Sequence, residues 1–126
     1  MKNTSPLFAA LLALALTACA GTYGGNAPAR NEGGKLVGSN GMTLYTFDKD
    51  AAGSGKSVCN GPCAGNWPPL MAMDGDSASG DWSIVTRDDG KKQWAFKGKP
   101  LYFWIKDQKP GDTTGDGVNN VWRVAR

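Results

Sequence analysis

The sequence of 126 residues contains no histidine. Without an imidazole, neither Ser-His-Asp nor Cys-His catalysis is possible, and acid or base catalysis near neutral pH would need a carboxylate or a lysine with a strongly shifted pKa. Most copper and zinc sites in proteins also use imidazole ligands. We therefore predict that the protein is not an enzyme and that it has no catalytic residue, no metal site and no cofactor.

The sequence also has little excess of charge of either sign. It carries 14 lysine and arginine residues against 11 aspartate and glutamate residues, a formal net charge of +3, which gives no reason to expect nucleic acid as a partner. A phosphate-binding loop is missing as well. Residues 53–57 end in Gly-Lys-Ser, but the position of that motif's first glycine is occupied by Asp50.

Long apolar runs are absent too. The longest one near the N-terminus covers residues 7–16, which is shorter than the roughly 20 residues of a membrane-spanning helix. It ends in Leu16-Thr17-Ala18-Cys19, the pattern that signal peptidase II recognises before a cysteine that carries lipid. We predict that residues 1–18 are a lipoprotein signal peptide and that acyl chains such as palmitate on Cys19 hold the protein to the membrane. An ordinary secretory signal with a chance cysteine is the alternative.

The residues after Cys19 predict a location and a tether. Ala20, instead of an aspartate, follows the cysteine, which in a Gram-negative cell is the pattern for transfer to the outer membrane, facing the periplasm or the cell surface. Residues 21–34 read GTYGGNAPARNEGG and offer little to bury. We expect a lipid-anchored flexible linker over residues 19–34 and one β-rich domain over residues 35–126.

Cysteine is scarce, with three residues in the chain. If Cys19 carries lipid, Cys59 and Cys63 remain as a pair in an oxidising compartment, separated by the turn-forming Asn60-Gly61-Pro62. We predict a disulfide between them. The alternative is a redox dithiol or a metal-ligand pair, although the spacing is not that of a Cys-x-x-Cys redox motif or of haem attachment.

One segment of the sequence occurs twice. Residues 41–50, GMTLYTFDKD, recur as residues 98–107, GKPLYFWIKD, and two copies favour the halves of one pseudo-symmetric domain over a solenoid, which needs three or more. Side chains two positions apart on a strand share a face, so the two aromatic positions of each copy lie together. The motif residues that follow this pattern are Tyr45, Phe47 and Asp50 in the first copy and Tyr102, Trp104 and Asp107 in the second.

The motif aspartates fall just beyond each strand. An aspartate there most often accepts hydrogen bonds from backbone N–H groups of a turn, which is the interpretation that we favour for Asp50 and Asp107. The alternative is a carboxylate that binds a ligand or a cation. Residues 112–117 resemble the start of a calcium loop, but the twelfth position, which needs a bidentate acid, is Arg123.

Turn signals place the remaining strands. Asn40-Gly41 after residues 35–37 predicts one hairpin, and Asp89-Gly90 between residues 82–86 and 93–96 predicts another. Further strands are expected at residues 100–105 and 121–124, and no segment shows helical periodicity. The sequence therefore predicts an all-β fold, a small antiparallel sandwich or barrel built from two pseudo-symmetric repeats.

These motifs carry a resemblance to a known family. A Tyr-x-(Phe/Trp/Tyr)-x-x-Asp motif present twice, a Cys-x-x-x-Cys pair running into Trp-Pro-Pro-Leu, and a Pro-Gly-Asp stretch before the last tryptophan resemble the predicted bacterial lipoproteins and secreted repeats named after that motif. The resemblance covers the chain from Gly41 to its end. It implies an extracytoplasmic lipoprotein with structural motif residues, in a family without an established biochemical activity.

Two classes of function follow from the sequence. The first is a non-catalytic envelope lipoprotein, a structural or binding module that contacts an envelope protein or polysaccharide through its many aromatic side chains. The second is an accessory protein of envelope redox or electron-transfer chemistry that uses Cys59 and Cys63 or the tyrosine and tryptophan rings. The alternative to both is that most of these rings only form the core, since aromatic residues bury large areas. Exposed rings would favour binding.

Overall fold

The computed structural model describes residues 27–126. The predicted signal peptide, Cys19 and the first half of the predicted linker lie outside these residues. Within them, no helix is long and apolar enough to cross a membrane, and no group of three or more histidine, cysteine, aspartate or glutamate side chains is placed to hold a metal ion.

Short strands make up most of the regular structure. They are β1 (Ala29–Glu32), β2 (Lys35–Gly38), β3 (Tyr45–Phe47), β4 (Trp82–Thr86), β5 (Lys92–Phe96), β6 (Lys99–Pro100) and β7 (Trp122–Val124). They form three small antiparallel sheets, which are β1 with β2, β3 with β7, and β4 with β5 and β6. The predicted all-β class, with small antiparallel sheets and two repeats, is confirmed.

The two hairpins before the motifs have similar places in the chain. Asp89-Gly90 joins β4 to β5, with Ile84 opposite Trp94, as the sequence predicts. The other hairpin was not predicted: β1 pairs with β2 from Ala29 opposite Gly38 to Glu32 opposite Lys35. Gly33 and Gly34 both have positive φ there, the backbone conformation that a tight hairpin requires. The folded unit therefore begins before Lys35, and the prediction of a flexible linker is corrected for the strand Ala29–Glu32.

Two further segments differ from the sequence prediction. The strand expected over residues 100–105 is regular only at Lys99–Pro100, because the residues after it bond to a loop: Phe103 N–H donates to Pro68 O, and Ile105 N–H donates to Asn66 O. A short helix, α1 (Pro62–Asn66), starts within the cysteine loop. Its five residues are too few to produce a periodic pattern in the sequence.

The core has two parts, on opposite sides of the motif strands. Leu44 and Leu101 enter one cluster with Leu36 and Ala125. The next residues, Tyr45 and Tyr102, point the other way, as successive strand residues must, and enter a second, aromatic cluster. All four side chains of the two Leu-Tyr pairs are fully buried: Leu44, Tyr45, Leu101 and Tyr102. The repeated Leu-Tyr pair therefore joins the two halves of the core.

Candidate functional site

The two motif tyrosines lie opposite each other in an antiparallel bridge. Tyr45 N–H donates to Tyr102 O at 2.8 Å, and Tyr102 N–H donates to Tyr45 O at 3.0 Å. This reciprocal exchange is the hydrogen-bonded pair of an antiparallel ladder, whose local symmetry is two-fold. The two copies of the motif therefore meet at equivalent residues.

Each tyrosine hydroxyl donates to the aspartate of the other repeat. Tyr45 reaches Asp107 Oδ2 at 2.7 Å, and Tyr102 reaches Asp50 Oδ2 at 2.5 Å. The aspartates are 2% exposed at Asp50 and 7% exposed at Asp107. A hydrogen bond to a carboxylate is stronger than a bond between neutral groups, so these two crossed pairs tie one repeat to the other deep in the protein.

The second oxygen of each carboxylate accepts backbone N–H groups. Asp50 Oδ1 accepts from Val58 N–H at 2.7 Å. Asp107 Oδ1 accepts from Thr114 N–H at 2.9 Å and from the Thr114 hydroxyl at 2.7 Å. These contacts are of the kind that the turn interpretation of the motif aspartates expects. The tyrosine partners were not predicted from the sequence.

Burial shifts the ionisation of these groups. It raises the pKa of Tyr45 above its ordinary value, and the hydrogen bond to Asp107 raises this pKa further. Burial also raises the pKa of Tyr102, with the bond to Asp50 adding to it. The pKa of Asp50 is raised by burial, which outweighs the opposing hydrogen bonds from Tyr102 and Val58. Both phenols therefore stay protonated throughout the physiological range.

The Tyr102–Asp50 pair has a buried arginine beside it. Arg87 donates to Ser57 Oγ at 3.0 Å, to Gln93 Oε1 at 2.7 Å and to Cys59 O at 2.6 Å, and the Ser57 and Tyr102 hydroxyls are 2.6 Å apart. Arg87 and Gln93 were missed by the sequence analysis, although a glutamine in the apolar run of β5 and a charged residue at the end of β4 hint at a buried polar contact. The positive charge of Arg87 partly offsets the rise that burial causes in the pKa of Asp50.

Four rings form one continuous stack, here called the aromatic stack: Phe47, Trp122, Trp67 and Trp104, in that order. Neighbouring ring centroids are 4.2, 3.8 and 4.0 Å apart, with interplanar angles of 13°, 4° and 24°. Tyr45 meets Trp67 edge-on at 5.3 Å, and Tyr102 meets Trp122 edge-on at 5.2 Å. The stack is pseudo-symmetric about the contact between Trp67 and Trp122, so each repeat supplies one end ring, one inner ring and one edge-on tyrosine.

Gly115 permits the approach of the loop to this stack. A Cβ atom there would lie 2.8 Å from Trp67 Cη2 and 3.0 Å from Trp104 Cγ, closer than packed carbon atoms tolerate. The same residue donates its N–H to the Tyr45 hydroxyl at 3.2 Å. Only glycine therefore lets the backbone contact both the tryptophans and the tyrosine.

Cys59 and Cys63 form a disulfide that joins the start of α1 to the segment before it. Cys59 is fully buried in the aromatic cluster, and Cys63 packs against it while remaining half-buried. The bond encloses so short a loop that the chain-entropy model gives it at most about 2 kcal/mol. Its effect is therefore local. It fixes the segment from Val58, which donates its N–H to Asp50, to Trp67.

The surface of the site is shallow at both ends of the stack. At one end is the Trp104 hollow, about 540 Å³, lined by Trp104, Ile105, Lys106, Gln108 and Thr114. Trp104 is half-buried, and the Lys106 ammonium lies 5.8 Å from its ring centroid. At the other end a cleft of about 430 Å³ is lined by Phe47, Lys49, Cys63, Asn66, Trp67, Asn119, Val121 and Trp122. Phe47, Trp67 and Trp122 in the cleft are buried, so the half-buried Trp104 is the most exposed ring of the stack.

Comparison with known families agrees with this two-fold arrangement. A family model described as a secreted repeat of unknown function matches the chain twice, over residues 27–71 and 83–126. The chain belongs to this family, Lipoprotein_15. No curated protein and no solved structure was found to match the chain. The function of the family is unknown, and its description as secreted indicates a location outside the cytoplasm.

Each Lipoprotein_15 repeat contains the same parts in the same order. A hairpin, either β1–β2 or β4–β5, is followed by the Leu-Tyr pair, the motif aspartate and a tryptophan of the stack. The first repeat starts at residue 27, which includes β1 and agrees with its pairing to β2. Neither repeat is complete alone, because the tyrosine of each donates to the aspartate of the other.

The motif aspartates offer a direct test of their role. We expect Asp50→Ala and Asp107→Ala each to lower the free energy of unfolding by about 1 to 3 kcal/mol, because buried donors lose their acceptor. Asp→Asn keeps an acceptor oxygen and should cost less at both positions. Urea denaturation of the four variants, with and without calcium, measures this. A calcium-dependent gain in parent stability that both Ala and Asn variants lose would show a cation site instead.

Proposed function

We propose that the chain is a non-catalytic lipoprotein of the cell envelope that binds an envelope polysaccharide, with acyl chains on Cys19 as its anchor to the outer membrane. The observation that supports binding is the Trp104 hollow. Its half-buried indole is flanked by an ammonium group, an amide and a hydroxyl, from Lys106, Gln108 and Thr114. An indole face packs against the apolar face of a sugar ring, and the polar groups are suited to its hydroxyl and acidic substituents.

A non-catalytic role agrees with where the shifted groups lie. The three groups whose pKa is raised mainly by burial, Tyr45, Asp50 and Tyr102, are all bonded to partners within the protein. A general acid or base must reach the proton that it transfers. None of these groups lines either the Trp104 hollow or the cleft at the Phe47 end.

Binding is tested at the hollow without disturbing the stack. Ile105 is 51% exposed and lines the hollow beside Lys106, so Ile105→Asp and Lys106→Glu change the surface alone. We expect the parent to bind peptidoglycan sacculi or the delipidated polysaccharide of lipopolysaccharide, and not dextran. Each variant should weaken that binding about tenfold, equivalent to about 1.4 kcal/mol. Co-sedimentation and titration calorimetry measure the affinities.

Met73→Asp is the matched control, because Met73 is another exposed apolar side chain, 71% accessible, and does not line the hollow. It should leave the affinity unchanged. Failure of the parent to bind either polysaccharide, or equal weakening by Met73→Asp, would contradict the proposal. If the parent instead binds an envelope protein, and Ile105→Asp and Lys106→Glu weaken that binding, the partner is a protein and not a polysaccharide.

The anchor is tested separately at Cys19. We expect Cys19→Ser to move the protein from the membrane fraction to the soluble or unprocessed form, because one or more acyl chains provide the attachment. Mass spectrometry of the parent should show a lipid-modified N-terminus at Cys19. An unmodified mature N-terminus at another residue would overturn the anchor, while leaving the polysaccharide proposal to its own test.

A further inference from the structure

A continuous ring path leads from the surface to a buried phenol. Trp104 is half-buried and lines the hollow, its ring centroid is 4.0 Å from that of Trp67, and Trp67 is 5.3 Å from the ring of Tyr45. These are van der Waals contacts between the side chains that are most easily oxidised by one electron, apart from sulfur. Electronic coupling between rings in contact is strong, so an electron deficit placed on one of them can move to the next.

The path ends at a proton acceptor. The Tyr45 hydroxyl donates to Asp107 Oδ2 at 2.7 Å, and no water is needed between them. The path branches through Trp122 to Tyr102, whose hydroxyl donates to Asp50. A phenol loses an electron much more easily when its proton can leave in the same step. Both phenols of the site therefore have a base in place for that proton.

We propose that the tryptophans of the aromatic stack and the two Tyr–Asp pairs form a relay that carries an oxidising equivalent from Trp104 to a buried tyrosine. The oxidant is a diffusible one-electron oxidant of the envelope, a class that includes radicals and oxidised metal complexes. This function goes beyond the polysaccharide proposal and does not depend on it. It turns an oxidation at the half-buried Trp104 ring into a radical on a phenol that is fully buried.

The relay moves one electron and one proton. The oxidant takes one electron from Trp104 and is reduced, which leaves the Trp104 radical cation. Trp67 gives one electron to Trp104. Tyr45 then gives one electron to Trp67 while its O–H bond breaks, and that proton forms an O–H bond on Asp107 Oδ2. The products are a neutral Tyr45 phenoxyl radical and a protonated Asp107, and an external reductant that supplies one electron reverses the sequence.

The surroundings of the tyrosines favour loss of the electron and the proton in one coupled step and not in two separate steps. Burial, followed by the aspartate bond, raises the pKa of both phenols, so their protons do not leave before the electron. Gly115 N–H holds the Tyr45 oxygen at 3.2 Å, which fixes the hydroxyl against Asp107. Both phenols are fully buried, so no base from the solvent competes for either proton.

The test uses the purified full chain and photogenerated ruthenium(III) tris-bipyridine as oxidant. The chain has three tyrosines, so every sample carries Tyr23→Phe to leave Tyr45 and Tyr102 alone. We expect the electron paramagnetic resonance signal of a neutral tyrosyl radical, formed more slowly in D₂O because a proton moves with the electron. Trp104→Phe should abolish that signal, since phenylalanine keeps the packing but is not oxidised by this reagent.

Two further variants separate the relay from other oxidations. Trp82→Phe changes a half-buried indole that packs with Trp94 and Phe96 outside the stack, and it should leave the tyrosyl yield unchanged. With Tyr102→Phe added to leave only Tyr45, Asp107→Asn should give a tryptophan radical in place of the tyrosyl radical.

The relay would be overturned by several results. The first two are a tryptophan radical alone in the parent and a tyrosyl radical that survives Trp104→Phe. The others are a tyrosyl yield that falls as much with Trp82→Phe as with Trp104→Phe, and a tyrosyl radical that forms at the same rate in D₂O as in H₂O. The D₂O comparison uses only the Tyr23→Phe parent, so it decides the matter even if a core variant fails to fold.

Discussion

Raising the pH above about 10 is expected to destabilise the protein steeply. In the unfolded chain both phenols ionise near pH 10, whereas in the folded protein burial, and then the aspartate bond, raises the pKa of Tyr45 and of Tyr102. The unfolded state therefore binds fewer protons above that pH. The contribution of the two phenols to the free energy of unfolding is fully present below about pH 10. It is lost as the pH rises toward the folded pKa values, at about 1.4 kcal/mol per pH unit for each tyrosine.

Denaturant unfolding between about pH 8 and pH 12 measures this slope. Tyr45→Phe and Tyr102→Phe should each remove about half of it, and the double variant should remove nearly all. Tyr23→Phe, in the predicted linker, is the control and should change nothing. A parent whose stability is constant through this range, or a double variant that keeps the parent's slope, would show that the phenols are not held protonated in the folded state.

Removing an inner ring of the stack is expected to cost the most stability of any single side chain. Trp67 and Trp122 each contact a ring on both faces and a tyrosine at the edge, and both are buried. Trp67→Ala and Trp122→Ala should each lower the free energy of unfolding by about 3 to 5 kcal/mol, from lost transfer energy and the cavity left behind.

The matched control is Trp82→Ala, at a half-buried indole that, among the rings of residues 27–126, contacts only Trp94 and Phe96. Its cost should be smaller, because less of its surface leaves water on folding. Urea midpoints with unchanged m values give the comparison. A cost at Trp67 or Trp122 no greater than at Trp82 would mean that the stack is not the centre of the core.

Local patterns in the sequence predicted much of the fold. Asp89-Gly90 between alternating strands predicted the β4–β5 hairpin, because turn type and strand register are set by neighbouring residues. The spacing of Tyr45 and Phe47 placed both on one face, and both are buried. The repeated segments 41–50 and 98–107 predicted a pseudo-symmetric pair, and the family match at residues 27–71 and 83–126 confirms two repeats.

Contacts between distant residues were beyond the reach of these patterns. Tyr45 and Asp50 are close in sequence, and nothing local shows that Tyr45 bonds to Asp107 instead. The contacts of Arg87 could not be predicted from its neighbours in the sequence, because its partners Ser57 and Cys59 come from another loop. The sequence predicts linker at β1 because residues 21–34 offer little to bury. In the structure Ala29 alone is buried in this strand, so its pairing rests on the backbone and the two glycines after it.

A double-mutant cycle tests the crossed tyrosine–aspartate pairing most directly. Tyr45→Phe is combined with Asp107→Asn across the repeats and, separately, with Asp50→Asn within its own repeat, and unfolding free energies are measured by urea denaturation. Side chains that bond to each other are coupled by about 0.5 to 3 kcal/mol, whereas independent sites are additive within about 0.5 kcal/mol. The structure predicts coupling for Tyr45 with Asp107 and near additivity for Tyr45 with Asp50. Coupling within the repeat and additivity across it would contradict the account.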